Sequence, residues 1–193
     1  MITFTATAAP ERPYRIERVR LVERAMTLRL AALVADSYRD PERMVARAAA
    51  ASRYLVTVDH GGPIIAFLFA RADTLASHRA ACVTMIGIAP AHRTNTTALT
   101  LLRASDELFD DTVTLTWTTT AHPTLVCSWA QHFTKRMVSE IDPSLATELW
   151  SMLGAAPAFG DVSLCRGRFI DERAARAELA GKRDRRLLVA RRR

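Results

Sequence analysis

The chain has 193 residues, 49% hydrophobic and 24% charged, with seven Gly, eight Pro and three Cys; such a length suits one domain of roughly 150 residues plus tails, and no second full domain is expected. Cys82, Cys127 and Cys165 are far apart and odd in number, which excludes a disulfide framework or zinc site, and no apolar run reaches membrane-spanning length, so no membrane or metal is expected and a cytoplasmic location is. The net charge of +7 is uneven, because residues 171–193 hold nine Arg or Lys against four Asp or Glu.

Residues 1–13, with Pro10 and Pro13 and little periodicity, read as a mobile lead-in. Tyr14 to Val19 alternates Tyr14 and Ile16 with charged residues, the pattern of a half-buried strand. From Leu21 to Tyr38, Val22, Ala25, Met26, Leu30, Leu33 and Val34 recur at three and four, which predicts an amphipathic helix. Asp40 can cap a second helix that opens on Pro41 and ends at Ala51. Tyr54 to Val58 and Pro63 to Ala70 read as two strands of a hairpin whose turn holds Gly61 and Gly62. Residues 71–79 read as a connection, and the nearly all-apolar run Ala80 to Ala89 as a strand central to a sheet.

A helix is expected from Arg93 to Phe109. After it, Thr112 to Thr119 alternates Val113, Leu115 and Trp117 with Thr114, Thr116 and Thr118, a strand pattern of period two. His122-Pro123 opens a helix through Phe133, Pro143 to Leu153 forms another, and Asp161 to Phe169 offers a strand. Within the basic tail, 171–193, Asp171 could cap a short helix to Ala180 and Leu187-Leu188-Val189 could form a final strand. Such a tail suits an acidic partner or is simply solvated; with no interleaved aromatic for base stacking, nucleic acid is not the expected partner.

Chemistry concentrates between Ile88 and Leu102, where a strand stops at Pro90 and a helix opens. The first turn of a helix leaves N–H groups without intrahelical acceptors, and the dipole adds positive charge there, so the junction is a candidate phosphate site. Arg93 and the hydroxyls of Thr94, Thr96 and Thr97 would add to it, although Thr and Asn at a helix start are also ordinary capping residues.

In register, Ile88, Pro90, Arg93, Ala98, Leu101 and Leu102 resemble the acetyl-CoA-binding motif of the GNAT family of N-acetyltransferases. Thr96 stands where the family has its first Gly, and a branched Cβ there crowds the approach of a pyrophosphate. The resemblance implies an α/β (α+β) fold, a central mixed sheet flanked by helices, over residues 14–170. It implies that the strand before the motif splays from its neighbour, so that the backbone of Met85, Ile86, Gly87 and Ile88 holds the pantetheine arm. Gly87 would remove bulk near the thioester, or mark a bulge. Arg93 and the amides of Thr94, Asn95, Thr96, Thr97 and Ala98 would hold the pyrophosphate of acetyl-CoA or another acyl-CoA.

The family's Tyr acid, counted seven residues on from His122, falls on Trp129, whose indole has no proton of useful acidity. His122 is therefore the candidate for proton transfer, with a simple helix-start His as the alternative. Cys127 reads as a buried thiol or, less simply, a nucleophile. His60, His78 and His92 read as surface residues, His92 beside the phosphate site. The implied activity is direct acyl transfer to an amine of a small molecule or peptide. Alternatives are a scaffold with altered chemistry, an acidic carrier-protein donor docked on the tail, and a homodimeric assembly.

Overall fold

The computed structural model describes residues 13–19, 23–75, 77–120, 122–134, 136–138, 143–154, 162–164, 173, 177 and 185–192. The lead-in expected over 1–13 lies outside them but for Pro13, as do Cys165 and nearly all of the helix expected from Asp171. The strands are β1 (Tyr14–Arg18), β2 (Tyr54–Asp59), β3 (Ile64–Leu75), β4 (His78–Ile88), β5 (Val113–Thr120), β6 (Val162–Leu164) and β7 (Arg185–Arg191). Among the described residues they form one sheet in the order β1-β2-β3-β4-β5-β7-β6. The β4/β5 and β6/β7 pairs are parallel and the rest antiparallel, giving the expected mixed sheet.

Helices α1 (Arg24–Ala32), α2 (Pro41–Ala50), α3 (Asn95–Asp106), α4 (Pro123–His132) and α5 (Pro143–Gly154) flank it. Period-two alternation along β3 assigns the layers. Phe67 and Phe69 pack with Leu30 of α1 and Val45 and Ala49 of α2. Ala66, Leu68 and Ala70 face the other way, with Leu101 and Leu102 of α3 and Val126 and Trp129 of α4. Leu145 and Leu149 of α5 pack with Cys82, Leu115 and Trp117.

Two expectations need correction. The helix expected from Leu21 to Tyr38 ends as α1 at Ala32, where i−3 bonds (Leu33 N–H to Leu30, Val34 N–H to Ala31, Ser37 N–H to Val34) tighten the chain into turns. Residues 71–79 are no loose connection, because β3 runs to Leu75 and β4 starts at His78. On β3 the charges of Arg71 and Asp73 neutralise each other, with Arg71 Nε 2.9 Å from both Asp73 carboxylate oxygens. Along β5, Thr116, Thr118 and Thr120 are buried, whereas Thr114 is exposed.

The tail supplies β7 to the sheet between β5 and β6, with Leu187, Leu188 and Val189 in the strand that the sequence offered. Arg192, read as part of a basic end, is buried. Its guanidinium donates to the carbonyls of Asp110 (3.0 Å), Val113 and Phe109 (both 3.2 Å) and to that of Asp106, and lies 5.7 Å from the centre of the Phe109 ring.

One cap and one turn match expectation. The Asp40 carboxylate accepts from the Arg43 amide at 3.1 Å with Pro41 in the first turn of α2. Gly61 and Gly62 take φ of 61° and 107° in the β2–β3 turn, where a side chain would be strained.

Candidate active site

The parallel pair β4/β5 parts before either strand ends. Its register runs Arg79↔Val113, Ala80↔Leu115, Ala81↔Thr116 and Cys82↔Trp117 and then stops, while β4 continues to Ile88 and β5 to Thr120. At the first rung beyond, the Thr118 hydroxyl donates to the Val83 carbonyl at 2.8 Å, so a side chain finishes what the ladder leaves. Beyond that, β4 keeps β3 on one side and, among the described residues, has no strand in register on the other.

Which backbone groups face the gap follows from one bond. The Ala89 amide donates to the Ile65 carbonyl at 2.9 Å, in the same register that sets Gly87 against Phe67 and Met85 against Phe69. Alternate residues of an antiparallel ladder exchange both bonds with their partner, so Met85 and Gly87 turn N–H and C=O toward β3. Ile86 and Ile88 turn theirs toward the gap. A ligand with amide groups along an extended arm could pair with this edge as a strand would.

Gly87 is explained by packing. A Cβ there would lie 2.2 Å from the Phe67 ring and 2.7 Å from Val34, so its empty volume is filled by the protein itself. The β3–β4 bulge lies at Thr84 instead, between the pairs Phe69↔Met85 and Ala70↔Val83. There the Thr84 hydroxyl donates to the Phe69 carbonyl at 3.2 Å.

Arg93 stands at the mouth of the gap, between a 3-10 turn (Pro90–His92) and α3. Its guanidinium is engaged: Nη1 and Nη2 donate to the two Asp36 carboxylate oxygens at 2.6 and 2.5 Å, and Nε donates to the Ile88 carbonyl at 3.1 Å. The hydrogen bond from Arg93 holds the Asp36 carboxyl down at about 2. Asp36 belongs to the turns after α1, and nothing in the sequence links it to Arg93.

Helix α3 begins at Asn95, two residues later than expected, with Thr94 as its cap. The Thr94 hydroxyl accepts from the Thr97 amide at 3.2 Å, and the Ala98 amide donates to the Thr94 carbonyl at 3.2 Å. That leaves Asn95 and Thr96 as the helix amides with no intrahelical acceptor. The Thr96 side chain is exposed at this helix start, and Ala98 is buried beneath it. The Asn95 side chain turns away from the mouth to tie α3 to α4, donating to Gln131 Oε1 at 2.5 Å and accepting from the Ser128 hydroxyl.

Because β4 and β5 are parallel, the start of α4 lies at the same end of the sheet as the start of α3. His122 is the N-cap of α4; it is exposed, and its amide donates to the Thr120 hydroxyl at 2.9 Å. The turn brings His60 and His92 together, rings 5.6 Å apart. Trp129 is fully buried 4.9 Å from the Phe133 ring, and its Nε1 has no hydrogen-bond partner, so it is a core residue. Cys127 is buried with its sulfur accepting from Gln131 Nε2 at 3.4 Å, and burial pushes the other described thiol, Cys82, well above the usual range.

No protein-family model and no curated protein sequence matches the chain. Among solved structures, it is similar to aminoglycoside 6'-acetyltransferase type Ii at 12% identity, covering 58% of this chain and 75% of that one with a TM-score of 0.44. It is similar to an acetyltransferase of the GNAT family from Streptococcus pneumoniae at 16% identity, over 66% and 86% of the two chains with a TM-score of 0.45. N-acetylglutamate synthase from Neisseria gonorrhoeae, complexed with coenzyme A and N-acetyl-glutamate, is similar at 11% identity over 93% of this chain and 35% of its own, with a TM-score of 0.44. Among the described residues, no helix is long and apolar enough to cross a membrane.

Proposed function

We propose that the chain is a GNAT-type acyltransferase of the cytoplasm that moves an acyl group, acetyl in the first instance, from CoA directly to an amine of a small molecule or peptide. The observation that carries the reading is the parted parallel pair: β4 beyond Cys82 offers unladdered backbone groups at Ile86 and Ile88, and two helix starts meet at its open end. These residues fit an extended amide arm with an anionic end. Ile86 and Ile88 would pair with the amides, and the free first-turn amides of Asn95 and Thr96 would receive the phosphates.

An acyl-CoA supplies an activated thioester, at whose carbonyl carbon a bond to the amine nitrogen forms as the bond to sulfur breaks. The chain positions the two reactants in the gap, and that positioning supplies much of the rate. A proton must leave the nitrogen and another must reach the sulfur. His122, an imidazole exposed at the same end of the sheet, is assigned to proton transfer.

A second reading, a scaffold without transfer chemistry, is favoured by the burial of Trp129 where the family's acid would stand and by the engagement of Arg93 with Asp36. A carrier-protein donor draws less support, since Arg192 of the basic end is buried. Calorimetric titration with CoA and acetyl-CoA at low and physiological salt separates the readings. Micromolar binding of both supports the acyltransferase; no heat from well-folded protein favours the scaffold. His122→Ala should lower turnover about 10²-fold or more with folding unchanged, and undiminished turnover would remove His122 from the mechanism.

A further inference from the structure

We infer that Asp36, Arg93 and Ile88 form a strap across the open end of the β4–β5 gap, and that an anionic ligand opens it by taking the place of the Asp36 carboxylate. The inference rests on the acyl-CoA reading and deepens it by naming what controls entry.

Three contacts define the strap. The Asp36 carboxylate receives the Arg93 fork through both oxygens, at 2.6 and 2.5 Å. Arg93 Nε covers the Ile88 carbonyl at 3.1 Å, and that carbonyl faces the gap. The Asp36 turn is itself seated on β4, because Val34 fills the space a Cβ on Gly87 would need. One side chain thus closes both features the ligand needs: it occupies the last acceptor of the open edge, and it spends its positive charge on an internal anion.

A phosphate resembles the carboxylate in offering two oxygens to the guanidinium fork. Held at the first amides of α3, it would also sit at the positive end of the helix dipole. When Arg93 moves to such a group, Asp36 is released and the Ile88 carbonyl is freed for an amide donor of the same ligand. The anionic end of the ligand therefore unlocks the edge that its uncharged arm requires. An uncharged arm alone meets a closed strap.

The test uses the full chain, its Asp36→Asn and Arg93→Ala variants, and two probes, CoA and pantetheine, the second carrying the amides without phosphates. Asp36→Asn should bind CoA about 3- to 10-fold more tightly than wild type, because less of the protein is held closed. Arg93→Ala should bind pantetheine more tightly than wild type and CoA no more tightly. CoA affinity in Asp36→Asn equal to or below that of wild type overturns the strap, as does pantetheine binding unchanged in Arg93→Ala. If neither probe binds any of the three proteins, the acyl-CoA reading fails separately. Inorganic pyrophosphate then decides the strap: it must shift the Arg93 Nε–H resonance of wild type and bind more tightly to Asp36→Asn, and no shift overturns it.

Discussion

Each end of α3 is met by an arginine, and the two do opposite things. At the C-terminal end Arg192 is buried, donates to four backbone carbonyls and has its Nε 3.6 Å from the Asp106 carboxylate, which His132 Nε2 approaches at 2.7 Å. A cation belongs at that end of a helix, where carbonyls are left over and the dipole is negative. At the N-terminal end Arg93 is a cation beside the positive pole, and it is matched by a carboxylate brought from another element. The first arginine completes the fold; the second is balanced by a group that a ligand can replace.

The largest expected effect breaks the structural end. Arg192→Ala leaves the carbonyls of Asp106, Phe109, Asp110 and Val113 without their guanidinium donor, and should cost about 3–5 kcal/mol in urea unfolding. Arg93→Ala, by contrast, should shift the midpoint far less, since partly exposed pairs are screened by solvent. Equal losses at the two ends would erase the distinction. Next in size, Gly87→Ala forces a methyl group against the Phe67 ring and Val34, and should cost about 1–3 kcal/mol by overpacking. It should also loosen the Asp36 contact, which faster exchange of the Arg93 Nε–H with water would report.

The smallest effect concerns pH. The Asp36 carboxyl is depressed to about 2 from 3.8, chiefly by its hydrogen bond from Arg93. A group with a lowered folded value contributes stability above its unfolded value and loses it as pH falls through the folded one. Any difference in urea midpoint between wild type and Asp36→Asn should therefore hold steady at neutral pH and fade between pH 4 and pH 2. A fade near pH 6 would mean that another group governs the contact.

The element order was legible because apolar spacing reports which face is covered, as in α2 with its Asp40 cap and in β4 with its nearly all-apolar run. Leu187-Leu188-Val189 likewise pointed to β7. What escaped reading depended on pairs distant in the chain. Arg71 and Asp73 look like a loop until each neutralises the other; Asp36 lies 57 residues from Arg93; and Arg192 looks solvated until its carbonyl partners are assembled. The proposed phosphate site was legible as a helix start, but not that Asn95 serves the α3–α4 contact or that Arg93 is already engaged. His122 before Pro123 was readable as a helix start, and its role in proton transfer rests on the proposed chemistry.

The position of β7 bears on how the molecule is made. Among the described elements this strand comes last in sequence, yet it lies between β5 and β6, joining both. As the polypeptide emerges from the ribosome, β5 presents a bare edge rich in β-branched residues, and among the described strands β6 has no neighbour until β7 arrives. The nascent protein is thus most open to mispairing just before synthesis reaches β7, and chaperone demand should fall once that strand zips into place.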